Sequence, residues 1–424
     1  MRRSSVVVVG GGLAGLVAAR HLADADYSVT LYERRESVGG RVRSRTIDGF
    51  TLDRGFQVLF TAYPAVQREL DLAALDLCRF NPGAVIARPG ERSVLSDPLR
   101  DPLSLFESIA NREISFSDKL RTLALRQHLG TREESEFFSG PDSSIREYLE
   151  SWGFTDRYIE NFVAPFYGGI TLDRSLSSSK HVFEYTFRAM SRGSIAVPAA
   201  GMGTIADQLA DRAEAAGATI ETGDAVLDLE EKRRHVVVET DSGRRKADAV
   251  VLATGPKAAT RLTGYDDVPT DVRGCVTQHY RLPGGVPLGT GRRLLLNAGA
   301  DSPNTVVPIS EIAPEYAPGE DALLNATFLG GNAHSRADDE LAAATREALS
   351  SWYPERGFEG LEPIATDRIP FAQFAQPPGI HDRLPDARSV GGRCYLAGEY
   401  TRWSSIQGAM ESGRRAANAV KADR

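Results

Sequence analysis

The pattern of apolar and polar positions at the start of the chain predicts a strand, then a helix, then a second strand. Residues 6–9 are four valines followed by glycine, a pattern typical of a short buried parallel strand. Residues 13–25 are rich in alanine and leucine and predict a helix, and residues 28–32 predict a second strand. Together these segments predict a βαβ unit.

The middle of the chain changes from helical to alternating patterns. Helical spacing recurs in residues 64–71, 117–129 and 143–152, so residues 62–192 are expected to form a mainly helical insertion. Further helices are predicted over residues 203–217, 338–352 and 405–422. Strands are predicted over residues 219–221, 225–230, 235–240, 249–253 and 394–397, and those of a second, antiparallel sheet over residues 272–282, 293–298 and 322–329.

Composition and charge narrow the class of protein. A chain of 424 residues exceeds one compact core, so two closely joined domains are expected. The formal net charge of -7 argues against nucleic acid as the main partner. Three cysteines without a CxxC pair argue against a disulfide framework or a metal site and favour a reducing cytoplasm. No long apolar run predicts a membrane span, while peripheral membrane contact stays open.

A glycine-rich loop follows the first strand. Gly10, Gly12 and Gly15 stand in the order G-x-G-x-x-G, which allows a tight turn, a close approach of backbone to a pyrophosphate and packing of helix on strand. The start of the helix offers free N–H groups to phosphates. Glu33 ends the second strand, where a carboxylate can accept hydrogen bonds from a ribose. This combination predicts a dinucleotide site.

Two further segments favour FAD over NAD. Gly39, Gly40 and Arg41 follow the carboxylate closely, and a guanidinium there suits a second pass over the pyrophosphate of a long cofactor. Near the other end, a strand runs into Gly398 and a helix opens around Gly408. A helix N-terminus can hold the partial negative charge of a reduced flavin ring.

These motifs together resemble one superfamily. The Gly10–Gly15 loop, Glu33, Gly39-Gly40-Arg41 and the segment from Gly398 to Gly413 are similar to those of flavin amine oxidases, protoporphyrinogen oxidases and phytoene and carotene desaturases. The segment beginning Pro165-Phe-Tyr-Gly-Gly resembles a protoporphyrinogen oxidase motif, and the strand around Val226 resembles the one that holds adenine.

The resemblance implies a set of cofactor contacts and no catalytic residue. It places the first glycine loop on the pyrophosphate, Glu33 on the ribose, Val226 on the adenine, and the last helix under the isoalloxazine. The candidate FAD-binding residues are Gly10, Gly12, Leu13, Ala14, Gly15, Glu33, Arg34, Gly39, Gly40, Arg41, Val226, Gly398, Glu399, Gln407, Gly408 and Ala409.

Non-covalent binding is expected, because residues 398–408 contain neither cysteine nor histidine. A second G-x-G-x-x-A segment at Gly201 and Gly203 opens a helix but lacks a clean preceding strand, since Pro198 interrupts the run. It is therefore interpreted as a structural turn and not as an NAD site. His181 and His279 are isolated in the sequence and are interpreted as packed residues.

The substrate class is predicted from what the sequence offers around the flavin. Residues 272–280, where amine oxidases often carry a lysine, contain none, while residues 396–401 are closer to the ending of plant-type carotene desaturases. The apolar segment 369–379 is expected either to line a pocket mouth or to form a returning loop. We therefore predict FAD-dependent dehydrogenation of a small apolar molecule, similar to that of phytoene or carotene desaturases or of protoporphyrinogen oxidases, with oxygen or a quinone as acceptor. A flavin amine oxidase, in which Tyr400 or Trp403 would frame the amine, and a non-catalytic FAD-binding scaffold remain alternatives.

The predicted fold class is α/β. An FAD-binding Rossmann-like domain comprises residues 1–61, 193–260 and 388–424, and it is interleaved with an α+β substrate domain of residues 62–192 and 261–387 that combines a helical insertion with an antiparallel sheet.

Overall fold

A computed structural model describes residues 3–95, 115–284, 287–299 and 302–424. The strands among them are β1 Ser5–Val9, β2 Ser28–Glu33, β3 Ser44–Ile47, β4 Phe50–Asp53, β5 Leu59–Phe60, β6 Leu77–Arg79, β7 Ala84–Arg88, β8 Glu91–Leu95, β9 Ile195–Pro198, β10 Thr219–Thr222, β11 Val226–Glu231, β12 Val236–Thr240, β13 Gly243–Ala247, β14 Ala249–Leu252, β15 Val272–Leu282, β16 Leu295–Asn297, β17 Thr305–Val307, β18 Ala322–Leu329, β19 Glu362–Phe374 and β20 Cys394–Leu396. The helices are α1 Leu13–Ala23, α2 Pro64–Glu69, α3 Phe116–Thr131, α4 Ile145–Ser151, α5 Asp156–Tyr158, α6 Ala164–Thr171, α7 Lys180–Arg192, α8 Thr204–Ala215, α9 Pro256–Thr263, α10 Ile309–Ile312, α11 Asp338–Trp352 and α12 Ile406–Asp423.

A five-stranded parallel sheet forms one centre of the molecule, in the order β10-β2-β1-β14-β20. The valines of β1 pair on both sides, with Val6 opposite Val29 and Ala249. Val6 and Val8 are almost fully buried, because helices cover the faces of a parallel sheet. Helices α1 and α12 cover one face and pack against each other.

A seven-stranded sheet forms the second centre, in the order β19-β15-β18-β17-β16-β7-β8. The long strand β15 pairs antiparallel with β18 and β19, as in Thr277 opposite Thr327 and Asp367. Helix α11 packs against this sheet. Strands predicted over residues 272–282 and 322–329 are present with these bounds.

The insertion predicted as mainly helical also contains strands in its first part. Helix α2 is present near the predicted residues 64–71, but strands β6, β7 and β8 follow it within residues 62–192, and β7 pairs with β16 in the seven-stranded sheet. Helices resume at α3 and continue through a π-helical turn, Ile159–Val163, to α7. Residues 96–114 of this range lie outside the described residues.

Two expectations about loops are also corrected. The segment 369–379 is not a simple returning loop in its first half, because β19 continues to Phe374. That it lines a pocket mouth stays a prediction. The run before Gly201 does form a strand, β9, with Pro198 as its last residue. Proline is tolerated at such a position because a strand end needs no further ladder bond. The domain limits themselves stay a prediction.

Candidate active site

The first glycine loop is shaped by contacts within the protein. Gly10 has a φ of +106°, and a Cβ added there would lie 2.9 Å from the Ala253 carbonyl oxygen. A Cβ at Gly15 would lie 1.9 Å from the Gly10 carbonyl oxygen. Both positions therefore need glycine so that the loop can close tightly between β1, α1 and β14.

Gly12 differs from these two glycines because the space next to its Cα contains no protein atoms. It is the N-cap of α1, no side chain caps the helix, and a Cβ built there meets nothing within 4 Å. Leu13, Ala14 and Gly15 form the first turn, whose N–H groups have no partner within a helix. A helix N-terminus that faces open space fits a phosphate group.

Glu33 lies at the edge of this loop. Its side chain is 5% exposed, and its carboxylate accepts hydrogen bonds from the backbone N–H groups of Gly11 at 2.8 Å and Arg35 at 3.1 Å. These bonds fix the carboxylate while leaving lone pairs for a further donor. The neighbouring Arg34 is exposed.

The second glycine pair lies directly on the first loop. The Gly39 N–H donates to the Gly11 carbonyl oxygen at 2.7 Å. Gly40 has a φ of +63°, and a Cβ there would be 3.3 Å from the Gly12 Cα. The chain therefore passes the start of α1 twice, as the sequence predicts for a long cofactor.

Arg41 joins the two ends of the chain. Its guanidinium donates to the Ala372 carbonyl oxygen at 2.9 Å and to the Glu399 carboxylate, and it lies 4.9 Å from the centre of the Phe371 ring. Two residues predicted to contact the cofactor, Arg41 and Glu399, thus contact each other. A phosphate contact of Arg41 stays a prediction.

Sequence reasoning missed two other arginines near the glycine loops. The pKa of Arg43 is lowered by burial first and then by the charges of Arg35 and Arg54. The pKa of Arg54 is lowered by burial and then by Arg35. The Nε of Arg43 is buried without a hydrogen-bond partner. Partly buried guanidinium groups that repel one another suit a bound anion, which would relieve the repulsion. The sequence signal for an anion site here is the run of arginines at alternate positions 41, 43 and 45.

The adenine candidate Val226 lies beside the ribose candidate Glu33. Val226 starts β11 and is 8% exposed. The preceding turn is held on the β2 end by hydrogen bonds from Gly223 N–H to the Arg35 oxygen at 2.8 Å and from Asp224 N–H to the Glu33 oxygen at 3.1 Å. The structure therefore brings these two candidate residues to one end of the parallel sheet.

Hydrogen bonds and packing within the protein fix the C-terminal segment around the start of α12. Ser405 caps α12, its Oγ accepting from the Gly408 N–H at 2.7 Å. A Cβ at Gly408 would lie 2.0 Å from the Trp403 carbonyl oxygen, so this glycine is needed by the capping turn. The Gly398 N–H donates to Ser412 Oγ at 2.8 Å. Ala409 occupies the same first turn and is partly buried.

Gln407 has a role that the sequence does not reveal. Its Oε1 accepts from the Ala65 N–H at 2.8 Å, and the side chain is 5% exposed. Gln407 therefore fixes the start of α2 against the first turn of α12. Tyr63, the N-cap of α2, is positioned by the same contact.

Four aromatic residues lie beside the start of α12, and we call them the aromatic wall: Tyr63, Phe138, Tyr185 and Trp403. Trp403 contacts the other three, at ring-centre distances of 5.8 Å to Tyr63, 5.3 Å to Phe138 and 5.2 Å to Tyr185. Burial raises the pKa of Tyr63 and of Tyr185. By contrast, Tyr400 packs beneath Gly398 in a different core cluster.

His381 extends the aromatic wall, and its ring lies 4.7 Å from that of Phe138. Burial, with the charge of His181 second, lowers the pKa of His381 to about 4. The imidazole is therefore neutral near neutral pH.

The remaining sequence candidates have structural roles. A Cβ at Gly201 would lie 2.5 Å from Ser44 Oγ, so this turn packs on β3. His279 is fully buried, with Nδ1 2.8 Å from Asn325 Oδ1 and Nε2 3.1 Å from Asp367 Oδ2. Burial alone would raise the pKa of Asp367, but hydrogen bonds from His279 and Arg45 outweigh it and lower the pKa. His279 is thus a satisfied core residue.

The described residues contain neither a membrane-spanning helix nor a cluster of metal ligands. No helix in residues 3–95, 115–284, 287–299 and 302–424 is long and apolar enough to cross a membrane. Within the same ranges, no group of His, Cys, Asp and Glu side chains has the arrangement of a metal site.

Comparisons with known proteins identify the family. The family described as flavin containing amine oxidoreductase matches residues 13–421. Phytoene dehydrogenase from Streptomyces griseus is 29% identical over 286 residues, which cover 61% of this chain and 56% of that protein. The 15-cis-phytoene desaturase of Solanum lycopersicum is 24% identical over 480 aligned positions, covering 99% of this chain and 78% of that protein.

A solved structure resembles the whole chain. It is provisionally described as a protoporphyrinogen oxidase from Exiguobacterium sp. 255-15, with a TM-score of 0.74, 20% identity and 100% coverage of both chains. Its likeness establishes the fold. This structure confirms the predicted α/β fold class, and the family match confirms the predicted FAD-dependent oxidoreductase.

Proposed function

Because the chain belongs to the family of flavin-containing amine oxidoreductases, we propose that it dehydrogenates an elongated apolar substrate, introducing a carbon–carbon double bond. The relatives named phytoene dehydrogenase and 15-cis-phytoene desaturase support this substrate class. The observation that carries the proposal is the uncharged aromatic wall beside the start of α12.

The rings of the wall carry no charge at neutral pH. Tyr63 and Tyr185 have pKa values raised by burial, so their phenols stay protonated. His381 has a pKa of about 4 and stays uncharged. The Tyr185 hydroxyl donates to the Glu134 carboxylate, and Arg188 pairs with that carboxylate and balances its charge. Uncharged rings of this kind would orient a hydrocarbon by apolar and aromatic contact and exclude water from it.

The cofactor is proposed to lie across the two glycine loops and the start of α12. The pyrophosphate would be held by Gly10, Gly12, Leu13, Ala14 and Gly15, and flanked by Gly39, Gly40 and Arg41. The adenosine would be held by Glu33, Arg34 and Val226, and the flavin end by Gly398, Glu399, Gln407, Gly408 and Ala409. The open side of Gly12 and the unpartnered Arg43 Nε support this placement. When bound, FAD supplies the hydride acceptor.

The amine alternative lacks its usual lysine. On β15, Cys275, Thr277 and His279 alternate with Val276, Gln278 and Tyr280, so the first three share one face of the strand. Thr277 on that face accepts a hydrogen bond from the Phe56 N–H at 3.4 Å. No residue of this strand is a lysine that could hold a water at the flavin.

The final electron acceptor is proposed to be oxygen or a quinone, and the location the cytoplasm. Cys78, Cys275 and Cys394 are all unpaired, in keeping with a reducing compartment.

The proposal is tested by flavin bleaching without air. The holoprotein is mixed in turn with phytoene in detergent, protoporphyrinogen and putrescine, and the flavin absorbance is followed. We expect phytoene to bleach the flavin and putrescine to leave it oxidised. Trp403→Ala should slow bleaching by phytoene, while Leu227→Ser, a change on an exposed strand away from the wall, should not.

Three results would contradict the proposal. Bleaching by putrescine alone would identify an amine oxidase. Bleaching by protoporphyrinogen alone would identify a porphyrinogen oxidase, and no bleaching by any compound, with dithionite still reducing the flavin, would favour the scaffold.

A further inference from the structure

His381 has two ring nitrogens that are buried and unpaired. Among the described residues, neither its Nδ1 nor its Nε2 has a hydrogen-bond partner. Buried polar atoms in folded proteins are nearly always paired, so an imidazole with two unpaired nitrogens requires an explanation. His381 closely follows the apolar segment 369–379, for which a pocket mouth is predicted.

The chain that leads to His381 is attached to the start of α12. The Oε1 of Gln376 accepts from the Ser404 N–H at 2.9 Å, and the Gln376 carbonyl oxygen accepts from the Ser179 N–H at 2.7 Å. Gln376 therefore joins the segment where the flavin end is proposed to lie to the N-terminus of α7. His381 lies five residues farther along the chain, beside the aromatic wall.

Phe138 connects His381 with that wall. Its ring centre lies 4.7 Å from that of His381 and 5.3 Å from that of Trp403. Its φ is +62°, a left-handed conformation that bulky residues rarely adopt. Such a conformation persists only where the surrounding structure imposes it, so Phe138 is held firmly against the imidazole.

A second histidine lies behind His381. The ring centres of His381 and His181 are 6.2 Å apart, a separation that one water molecule can bridge. Nδ1 of His181 is 3.6 Å from Glu184 Oε2, and its Nε2 is 3.8 Å from Asp142 Oδ1. Burial alone would raise the pKa of Glu184, but His181 and Arg132 outweigh it and lower the pKa. Acidic side chains thus flank His181 on both sides and favour a proton there.

The protonation state of His381 suits a base. Burial first and the charge of His181 second lower its pKa to about 4; Arg402 acts in the same direction and Asp142 in the opposite one. Near neutral pH the imidazole is therefore neutral and keeps a free lone pair. Once protonated, a group with so low a pKa gives its proton up readily to the next acceptor.

We propose that His381 accepts the proton released when the substrate is dehydrogenated, and passes it to His181. The inference rests on the proposed function, because forming a carbon–carbon double bond removes a hydride from one carbon and a proton from its neighbour. The hydride goes to FAD with its electron pair, the proton goes to a His381 nitrogen, and the electron pair of that second C–H bond forms the new bond. Two electrons leave the substrate and reduce the flavin.

The test is the rate at which phytoene bleaches the flavin of the holoprotein without air. H381A should slow bleaching about a hundredfold or more, the usual contribution of a general base, while dithionite still reduces the bound flavin. Added imidazole should restore part of the rate, whereas pyrazole, a ring of the same size and a much weaker base, should not. H181Q should slow bleaching less than H381A. The matched control H128A changes an exposed histidine on α3 and should bleach like the parent.

Two results would overturn the inference. One is an H381A variant that bleaches as fast as the parent, and the other is equal rescue by imidazole and pyrazole, since the ring would then only fill space. H381Q, whose amide fills similar space without a basic nitrogen, covers the case in which H381A does not fold. It should be as slow as expected for H381A, and a fast H381Q would also overturn the inference. Failure of phytoene to bleach the parent itself would instead contradict the proposed function and remove the ground of the inference with it.

Discussion

The two helices that begin at the candidate cofactor site start in different ways. Helix α1 starts at Gly12 without a side-chain cap, and the space beside Gly12 is open. Helix α12 starts at Ser405, whose hydroxyl oxygen takes the Gly408 N–H, and Gly408 is packed against the Trp403 backbone. The two glycine-rich segments therefore have different roles. The first leaves its N–H groups available to an anion, whereas in the second the Ser405 hydroxyl accepts one of the helix N–H groups. Four alanine substitutions separate these roles.

Gly15→Ala should have the largest effect on folding. Its Cβ would lie 1.9 Å from the Gly10 oxygen and 3.2 Å from the Ala253 Cβ, so the backbone of the loop would have to move. We expect a loss of about 3 kcal/mol in the free energy of unfolding, typical of overpacking at a rigid site. Urea unfolding of the holoprotein measures this loss. A variant as stable as the parent would show that the loop can yield.

Gly408→Ala should destabilise the protein somewhat less. The added Cβ would lie 2.0 Å from the Trp403 oxygen, but the capping turn has solvent-accessible neighbours such as Ser404 that can shift. We expect a loss of about 2 kcal/mol in the free energy of unfolding. If the variant kept its stability and lost flavin instead, the glycine would serve the ring and not the turn.

Gly12→Ala should act on the cofactor and spare the fold. The backbone φ of −78° suits alanine, and the new Cβ meets no atom of the protein. The poorer N-cap and the stiffer unfolded chain roughly offset each other, so apoprotein stability should change by less than about 0.5 kcal/mol. The affinity for FAD, measured by fluorescence titration, should fall about tenfold, because the Cβ occupies the space beside the helix start. Unchanged affinity would place the pyrophosphate elsewhere.

Ser405→Ala should lower stability less than Gly15→Ala or Gly408→Ala. It removes the acceptor of the Gly408 N–H, and loss of a serine cap costs about 1 kcal/mol. Thermal unfolding measures the loss, and Ser405→Asp, which restores an acceptor, should recover most of it. Failure of aspartate to restore stability would mean that the serine acts through packing.

The sequence predicts the βαβ unit and both glycine segments because their signals are local. The signals of the βαβ unit lie close together in the chain. They are the valines of β1, the glycines with positive φ angles and the carboxylate of Glu33. Strand β7 was not predicted although it forms a hairpin with β8 around Pro89 and Gly90, a turn signal that the sequence does contain. Its second partner, β16, lies far along the chain, and pairing over such separations leaves no local pattern.

Prolines account for another error. Pro370 suggests a loop over residues 369–379, yet it lies within β19, which is the edge strand of its sheet. At an edge the missing N–H can face away from the partner strand, so no ladder bond is lost. The aromatic wall was likewise unpredictable beyond Trp403, because Tyr63, Phe138 and Tyr185 meet only through tertiary packing.

The Arg41–Glu399 contact also bears on how the protein is made, since its two residues are 358 positions apart. At the other side of the same site, a Cβ on Gly413 would lie 2.1 Å from the Ala14 oxygen, so α1 and α12 touch backbone to backbone. A nascent chain lacks both contacts until residues 399–413 have emerged from the ribosome. Cofactor capture should therefore follow the synthesis of this segment, and a chain truncated before Gly398 should remain colourless however well its earlier segments had folded.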